Sequence, residues 1–204
     1  MSECFGIILA GGLARRMGGI DKVLVELGDA PVLAHVIDRF APQCAGLVIN
    51  ANGDPNRFAQ FNLPVVADDM EGFQGPLAGV LAGLDYIASA RPDISYAVSV
   101  PADTPFIPRD LVARLASARA ATGAEIAVAC SNTKIHHAVA LWPVAIRSAL
   151  RHALVAEDVR KVSGFIRRHR NAIALWRVEP YDPFFNINRP EDLSRAQEIL
   201  AQVA

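Results

Sequence analysis

Residues 5–22 read FGIILAGGLARRMGGIDK. The opening run FGIILA is continuously apolar and passes straight into glycine, the pattern of a short strand buried on both faces of a helix-covered sheet. The next residues change character. Gly11-Gly12 and Gly18-Gly19 bracket Arg15 and Arg16, and Asp21-Lys22 closes the stretch. Glycine permits positive φ and close approach of backbone to a ligand. Successive backbone N–H groups in such a loop can form a concave anion site, and full cations beside it match the oxygens of phosphate. Two standard phosphate loops are excluded. GxGxxG would need glycine at position 13, where Leu13 stands. The Walker pattern needs lysine directly after its last glycine, whereas Lys22 lies three residues beyond Gly19.

Outward from this loop, strand and helix patterns alternate. PVLAHVIDRF carries Leu33, Val36, Ile37 and Phe40 at helical spacing behind Pro31. GLVINA, LPVVAD and SYAVSVPAD read as strands, with PLAGVLAGLDYIASA as a helix before the last of them. PRDLVARLASARAATG reads as a helix opening at its proline and closing at Gly123. AEIAVAC and HHAVALW read as strands, residues 143–154 and 158–169 as helices, and AIALWRV as a strand. In the final helix, PEDLSRAQEILAQV, one face collects Leu193, Ala196, Ile199, Leu200 and Val203. This rhythm predicts an α/β fold, a mostly parallel sheet with helices on both sides. Ligands of such sheets sit at the carboxyl ends of the strands.

The composition sets limits. With 204 residues, 52% hydrophobic and 20% charged, the chain suits one domain with a substantial core. A net charge of −1 supplies no global field for nucleic acid or an anionic membrane, so any anion site must be local. Cys4, Cys44 and Cys130 form no CxxC and are odd in number, which predicts reduced thiols in a cytoplasmic protein. No signal peptide, bilayer-spanning stretch, repeat or low-complexity segment is expected.

The strand ends carry the candidate chemistry. Asp103 follows the apolar run of VPADTPFI. It is placed either to bind Mg²⁺, which takes one or two carboxylates with phosphate oxygens and water, or to cap the helix after Pro105. Asp68, with Asp69 as its rival, and Asn50 in VINAN also end strands. They can pair with the polar edge of a base, or serve as a loop carboxylate and a turn residue. Gly75 and Gly79 sit near a helix start, for nucleotide approach or for packing. His136 is either a ligand-facing or a packing histidine. Asn186 and Asn188 alternate on an extended stretch and so face one way.

LAGGLARRMGGIDK resembles the LAGGxxxRMGGxDK signature of molybdenum cofactor guanylyltransferases, within the nucleotidyltransferase superfamily. VINAN at 48–52, DDMEGFQGPLAG at 68–79, VPADTPFIP at 100–108, HHAVAL at 136–141 and FFNINRPEDL at 184–193 resemble further blocks in the same order. The resemblance implies a single three-layer Rossmann-like domain over 1–204, of nucleotide-diphospho-sugar transferase type. Residues 1–105 would form the nucleotide part and 106–204 the pterin-substrate part. It implies that Leu9, Ala10 and Gly11 meet GTP through backbone groups, with Lys22, Asn50, Asp68 and Asp103 also binding it. Asp103 would be the Mg²⁺ ligand, and Arg16 would face the β- and γ-phosphates. Arg16, Lys22 and Asp103 are thus the implied catalytic set, while His136, Asn186 and Asn188 fall on the pterin side. Cytidylyl relatives usually read LAAG, so LAGG favours GTP over CTP.

The implied reaction joins GMP from GTP to the terminal phosphate of molybdopterin or its molybdenum form and releases pyrophosphate. A phosphate nucleophile is already ionised near neutral pH, so no general base is required. Cofactor-insertion proteins or apo-molybdoenzymes are the implied transient partners. A cofactor cytidylyltransferase, a sugar-phosphate nucleotidyltransferase and a non-catalytic nucleotide-binding regulator are the alternatives. Three departures from the family pattern stand out: Ala102 for Cys, His137 for Pro, and Arg189 for Thr. The last leaves the final helix without a short oxygen acceptor at its N-cap.

Overall fold

The computed structural model describes residues 4–11, 22–69 and 75–203. A seven-stranded sheet forms its centre. The strands are β1 (Cys4–Leu9), β4 (Leu47–Asn50), β5 (Val65–Val66), β6 (Tyr96–Pro101), β7 (Ile126–Ser131), β8 (Lys134–Pro143) and β9 (Asn171–Trp176), in spatial order β5-β4-β1-β6-β8-β7-β9. Every neighbouring pair is parallel except those made by β8, which runs antiparallel to both β6 and β7. A small antiparallel ribbon, β2 (Glu26–Leu27) and β3 (Ala30–Pro31), turns at Gly28 with φ +64°.

Helices α1 (Val32–Phe40) and α3 (Leu111–Thr122) pack on one face through Val36, Phe40, Leu111 and Leu115. On the other face lie α2 (Pro76–Ala90), α4 (Arg147–Val155) and α5 (Val162–Ile166), with Leu77, Leu81, Leu150 and Phe165 against Ile7, Val48 and Trp142. The result is the three-layer α/β architecture expected from the alternating pattern. α6 (Pro190–Val203) joins the ribbon in a satellite core of Leu27, Val32, Phe106, Ile187, Ala196 and Ile199.

The structure corrects several local expectations. The run LPVVAD yields only a two-residue strand. α3 begins at Leu111 rather than at Pro108, because residues 108–110 form a turn closed by Leu111 N–H donating to Pro108 O at 3.2 Å. The helix expected over 158–169 shrinks to five residues: Asp158 at φ +52° lies outside helical space and delays its start. Arg189 lacks a side-chain acceptor, yet Asp192 Oδ2 reaches back to the N–H groups of Asn188 and Arg189 at 2.8 and 2.9 Å. That is the returning half of a capping box, and it supplies the partner that Arg189 cannot.

Candidate nucleotide site

Three backbone hydrogen bonds lock the ends of four parallel strands, β5, β4, β1 and β6, side by side. Ala10 N–H donates to Asn50 O at 2.8 Å, Ala51 N–H to Val66 O at 2.9 Å, and Ala102 N–H to Leu9 O at 3.0 Å. Above this edge lies a cavity of about 380 Å³. Leu9, Ala10 and Gly11 enter it from β1, Asn50 from β4, Asp68 from beyond β5, and Asp103 from beyond β6. Lys22, Val23, Gly75, Pro76, Pro101, Ala138 and Asn186 complete its walls. Seven residues singled out in the sequence for the nucleotide therefore share one cavity at the binding edge of the sheet. Arg16 lies outside the described residues.

Two polar clusters occupy the cavity. In the first, the Lys22 ammonium donates to Asp103 Oδ2, and to Asn188 Oδ1 at 3.2 Å. Asn186 Nδ2 donates to Asp103 Oδ1 and to the buried Thr104 Oγ1, both at 3.1 Å. Asp103 caps no helix, since α3 starts well beyond it. The two asparagines read as facing one way do so, and what they face is this ion pair. Ile187, between them, fixes the register by donating its N–H to Asp103 O at 3.0 Å.

In the second cluster, buried Asn50 donates Nδ2 to Asp68 Oδ1 at 2.9 Å and to Val66 O at 3.2 Å. Its carbonyl oxygen faces Gly11 and Gly79. Asp68 also accepts from Asn52 Nδ2 at 2.9 Å. Asp69 is exposed and does not line the cavity, so Asp68 is the carboxylate that the fold presents. Asn52 and Thr104 were not singled out in the sequence. The spacing of Asn50 and Asn52 in VINAN, two residues apart at a strand end, is the signal that could have found the former.

The family model described as MobA-like NTP transferase domain matches residues 6–172. The chain belongs to this family. A molybdenum cofactor guanylyltransferase of Rhodopseudomonas palustris (strain BisB5) is 57% identical over 193 residues, covering 95% of this chain and 92% of its own length. Molybdopterin-guanine dinucleotide biosynthesis protein A of Archaeoglobus fulgidus superposes with TM-score 0.73 at 22% identity, covering 97% of this chain and 99% of its own. A Mycobacterium tuberculosis protein crystallised in complex with manganese superposes with TM-score 0.66 at 19% identity, covering 96% and 97%. The chain is a nucleotidyltransferase by family.

In this MobA-like chain, His136 stands apart from the cavity walls. Its Nε2 lies 2.6 Å from Ser131 Oγ, and its ring lies 4.7 Å from that of Phe184. Burial pushes its pKa down to about 4, so the ring is neutral near pH 7. Phe184 in turn meets Trp176 edge-on at 5.3 Å, and Trp176 Nε1 donates to Asp110 Oδ1 at 3.0 Å. This aromatic chain anchors the segment that delivers Asn186 and Asn188. The cysteines are free; burial pushes the Cys4 thiol up to about 12 and raises that of Cys44, so neither is a nucleophile near pH 7.

Proposed function

We propose that this chain transfers GMP from GTP to the terminal phosphate of molybdopterin, with or without bound molybdenum, and releases pyrophosphate. One observation carries the reading furthest: a single cavity holds a Lys22–Asp103 pair suited to phosphate and metal beside an Asn50–Asp68 pair suited to a base. The names of close relatives support the same chemistry. A phosphate oxygen of the pterin substrate attacks the α-phosphorus of GTP. The new P–O bond forms as the bond to the β-bridging oxygen breaks, and that oxygen leaves with the electron pair on pyrophosphate.

Such a step depends on position and on electrostatics fixed before the reaction. Lys22 would leave Asp103 for the triphosphate, bringing its positive charge to the phosphate oxygens. The backbone of Leu9, Ala10 and Gly11 would line the nucleotide, and Arg16, on the sequence reading alone, would face the β- and γ-phosphates. The donor set fits Mg²⁺: Asp103 presents a carboxylate on the cavity wall, and Mg²⁺ is commonly held by one carboxylate together with substrate phosphates. Asp103 would hold it there, and the ion would offset negative charge on the departing pyrophosphate. Asn186 keeps the Asp103 carboxylate oriented, while Asn188 reaches the same pair from the pterin-substrate half. The reacting phosphates would thus lie where residues 1–105 meet residues 106–204. Free thiols fit a reducing cytoplasm.

The test is pyrophosphate release on mixing the chain with Mg²⁺, molybdopterin and either GTP or CTP. Release with GTP alone supports the reading. Equal release with CTP, or none without a sugar phosphate, overturns it.

A further inference from the structure

Asp68 is held from two directions, and one of its holders lies outside the cavity wall. Asn52 Nδ2 donates to Asp68 Oδ2 at 2.9 Å, while Asp68 N–H donates to Asn52 Oδ1 at 2.8 Å. A single amide thus grips both the side chain and the backbone of Asp68. Its orientation is fixed by chemistry, because turning it over would set NH₂ against N–H and oxygen against carboxylate. Arg57 Nη2 donates to Asn52 O at 2.9 Å and tethers the turn that carries the clamp. Asn50 holds the other carboxylate oxygen at 2.9 Å.

Each carboxylate oxygen offers about two lone-pair sites. The two asparagines take one on each, and the pair that remains presents two parallel acceptors. The Watson–Crick edge of guanine offers two adjacent donors, N1–H and the 2-amino group. Cytosine and adenine each set an acceptor beside a donor there. A carboxylate held in one orientation selects two adjacent donors, whereas a rotating one loses that geometric selectivity.

We propose that Asn52 is a positioning residue for base recognition: it fixes the Asp68 carboxylate in the orientation that reads the N1–H and 2-amino edge of guanine. The inference rests on the guanylyl-transfer reading above and names the residue that sharpens its specificity.

Calorimetric titration of the whole chain with GTP and with inosine triphosphate, which lacks the 2-amino group, tests it. The native chain should bind GTP about 10-fold or more tighter than inosine triphosphate, the scale of one hydrogen bond to a charged group. Asn52→Ala should narrow that ratio to within about 3-fold by weakening GTP more than inosine triphosphate, which keeps only the N1–H donor, with the melting temperature nearly unchanged because Asn52 is exposed. Asn52→Asp, which keeps the size and loses the donor, should narrow it as well. A ratio unchanged in both variants overturns the proposal, as does parallel weakening of both nucleotides. A native chain that does not distinguish the two also overturns it. Titration with CTP judges the underlying reading separately, since a native chain that prefers GTP to CTP keeps that reading whatever Asn52 does.

Discussion

The Lys22 ammonium and Asp103 Oδ2 form an ion pair across 81 residues of sequence, joining the lysine that closes the glycine-rich stretch of sequence to the carboxylate just beyond β6. Asn186 holds the second oxygen of the same carboxylate at 3.1 Å. Asp103→Asn keeps the size of the side chain and one acceptor for Asn186, and removes only the charge. The fold should survive, and turnover should fall by roughly 10²–10³-fold, the scale of losing one preorganised electrostatic group. GTP binding without metal should change little. A melt, a metal-free titration and a Mg²⁺-dependent rate on one preparation check this, and full activity with an unaltered Mg²⁺ requirement would remove Asp103 from the metal role.

Lys22 makes the complementary prediction. If its charge turns to phosphate as proposed, Lys22→Ala should weaken GTP by roughly 10–100-fold, the worth of a charge-assisted hydrogen bond. Guanosine, which has no phosphate, should lose less than about 2-fold. Parallel titrations of the two ligands measure the difference, and equal losses would place Lys22 against the base instead.

These residues show how far the sequence can be read. β1 was legible because a strand buried on both faces must be continuously apolar; the reading of Gly12, Arg15, Arg16, Gly18 and Gly19 after it falls outside the described residues. Asn50, Asp68 and Asp103 were legible as polar residues at strand ends. The direction of β8 was not, since an apolar run carries no sign of whether its neighbours lie parallel or antiparallel. Ribbon strands of two residues are too short for any periodicity. The pairing of Lys22 with Asp103, or of Asn52 with Asp68, depends on distances that only the closed sheet creates.

His136 predicts a pH dependence. Its pKa in the fold is about 4 against an ordinary 6.5, because burial disfavours the charged ring. Between those values the unfolded chain binds a proton that the folded chain does not, so stability rises with pH across this window. The contribution is fully present above about pH 6.5 and gone below about pH 4, amounting to at most about 3 kcal/mol. His137 is lowered in the same direction by its own burial, and then by Arg167. Denaturant melts from pH 4 to 7 should therefore show a slope that His136→Gln reduces without abolishing. An unchanged slope would mean that the ring is more hydrated than its packing against Phe184 indicates.

Gly79 and Gly83 lie one turn apart on α2 and separate the site from the core. A Cβ on Gly79 would fall 2.2 Å from Asn50 Oδ1 and 3.0 Å from Leu9 Cδ2. A Cβ on Gly83 would fall 2.7 Å from the side chain of Ile7, fully buried in β1. Both additions are overpacked, which typically costs about 1–3 kcal/mol, but the strain relaxes into different places. Gly79→Ala must push aside the Asn50 amide, and with it the hydrogen bond that orients Asp68. It should therefore reduce GTP affinity by roughly 10-fold or more, the worth of a hydrogen bond to a charged group, with a modest loss of stability. Gly83→Ala presses only on apolar atoms behind the strand. It should lower the melting temperature by several degrees, about 2–4 °C per kcal/mol for a chain of this size, while the folded fraction binds GTP with nearly native affinity. Paired melts and titrations on the two variants separate these effects. If Gly79→Ala bound GTP as tightly as the native chain, the Asn50 carbonyl would have no part in forming the nucleotide pocket, and the close approach at Gly79 would be a matter of packing alone.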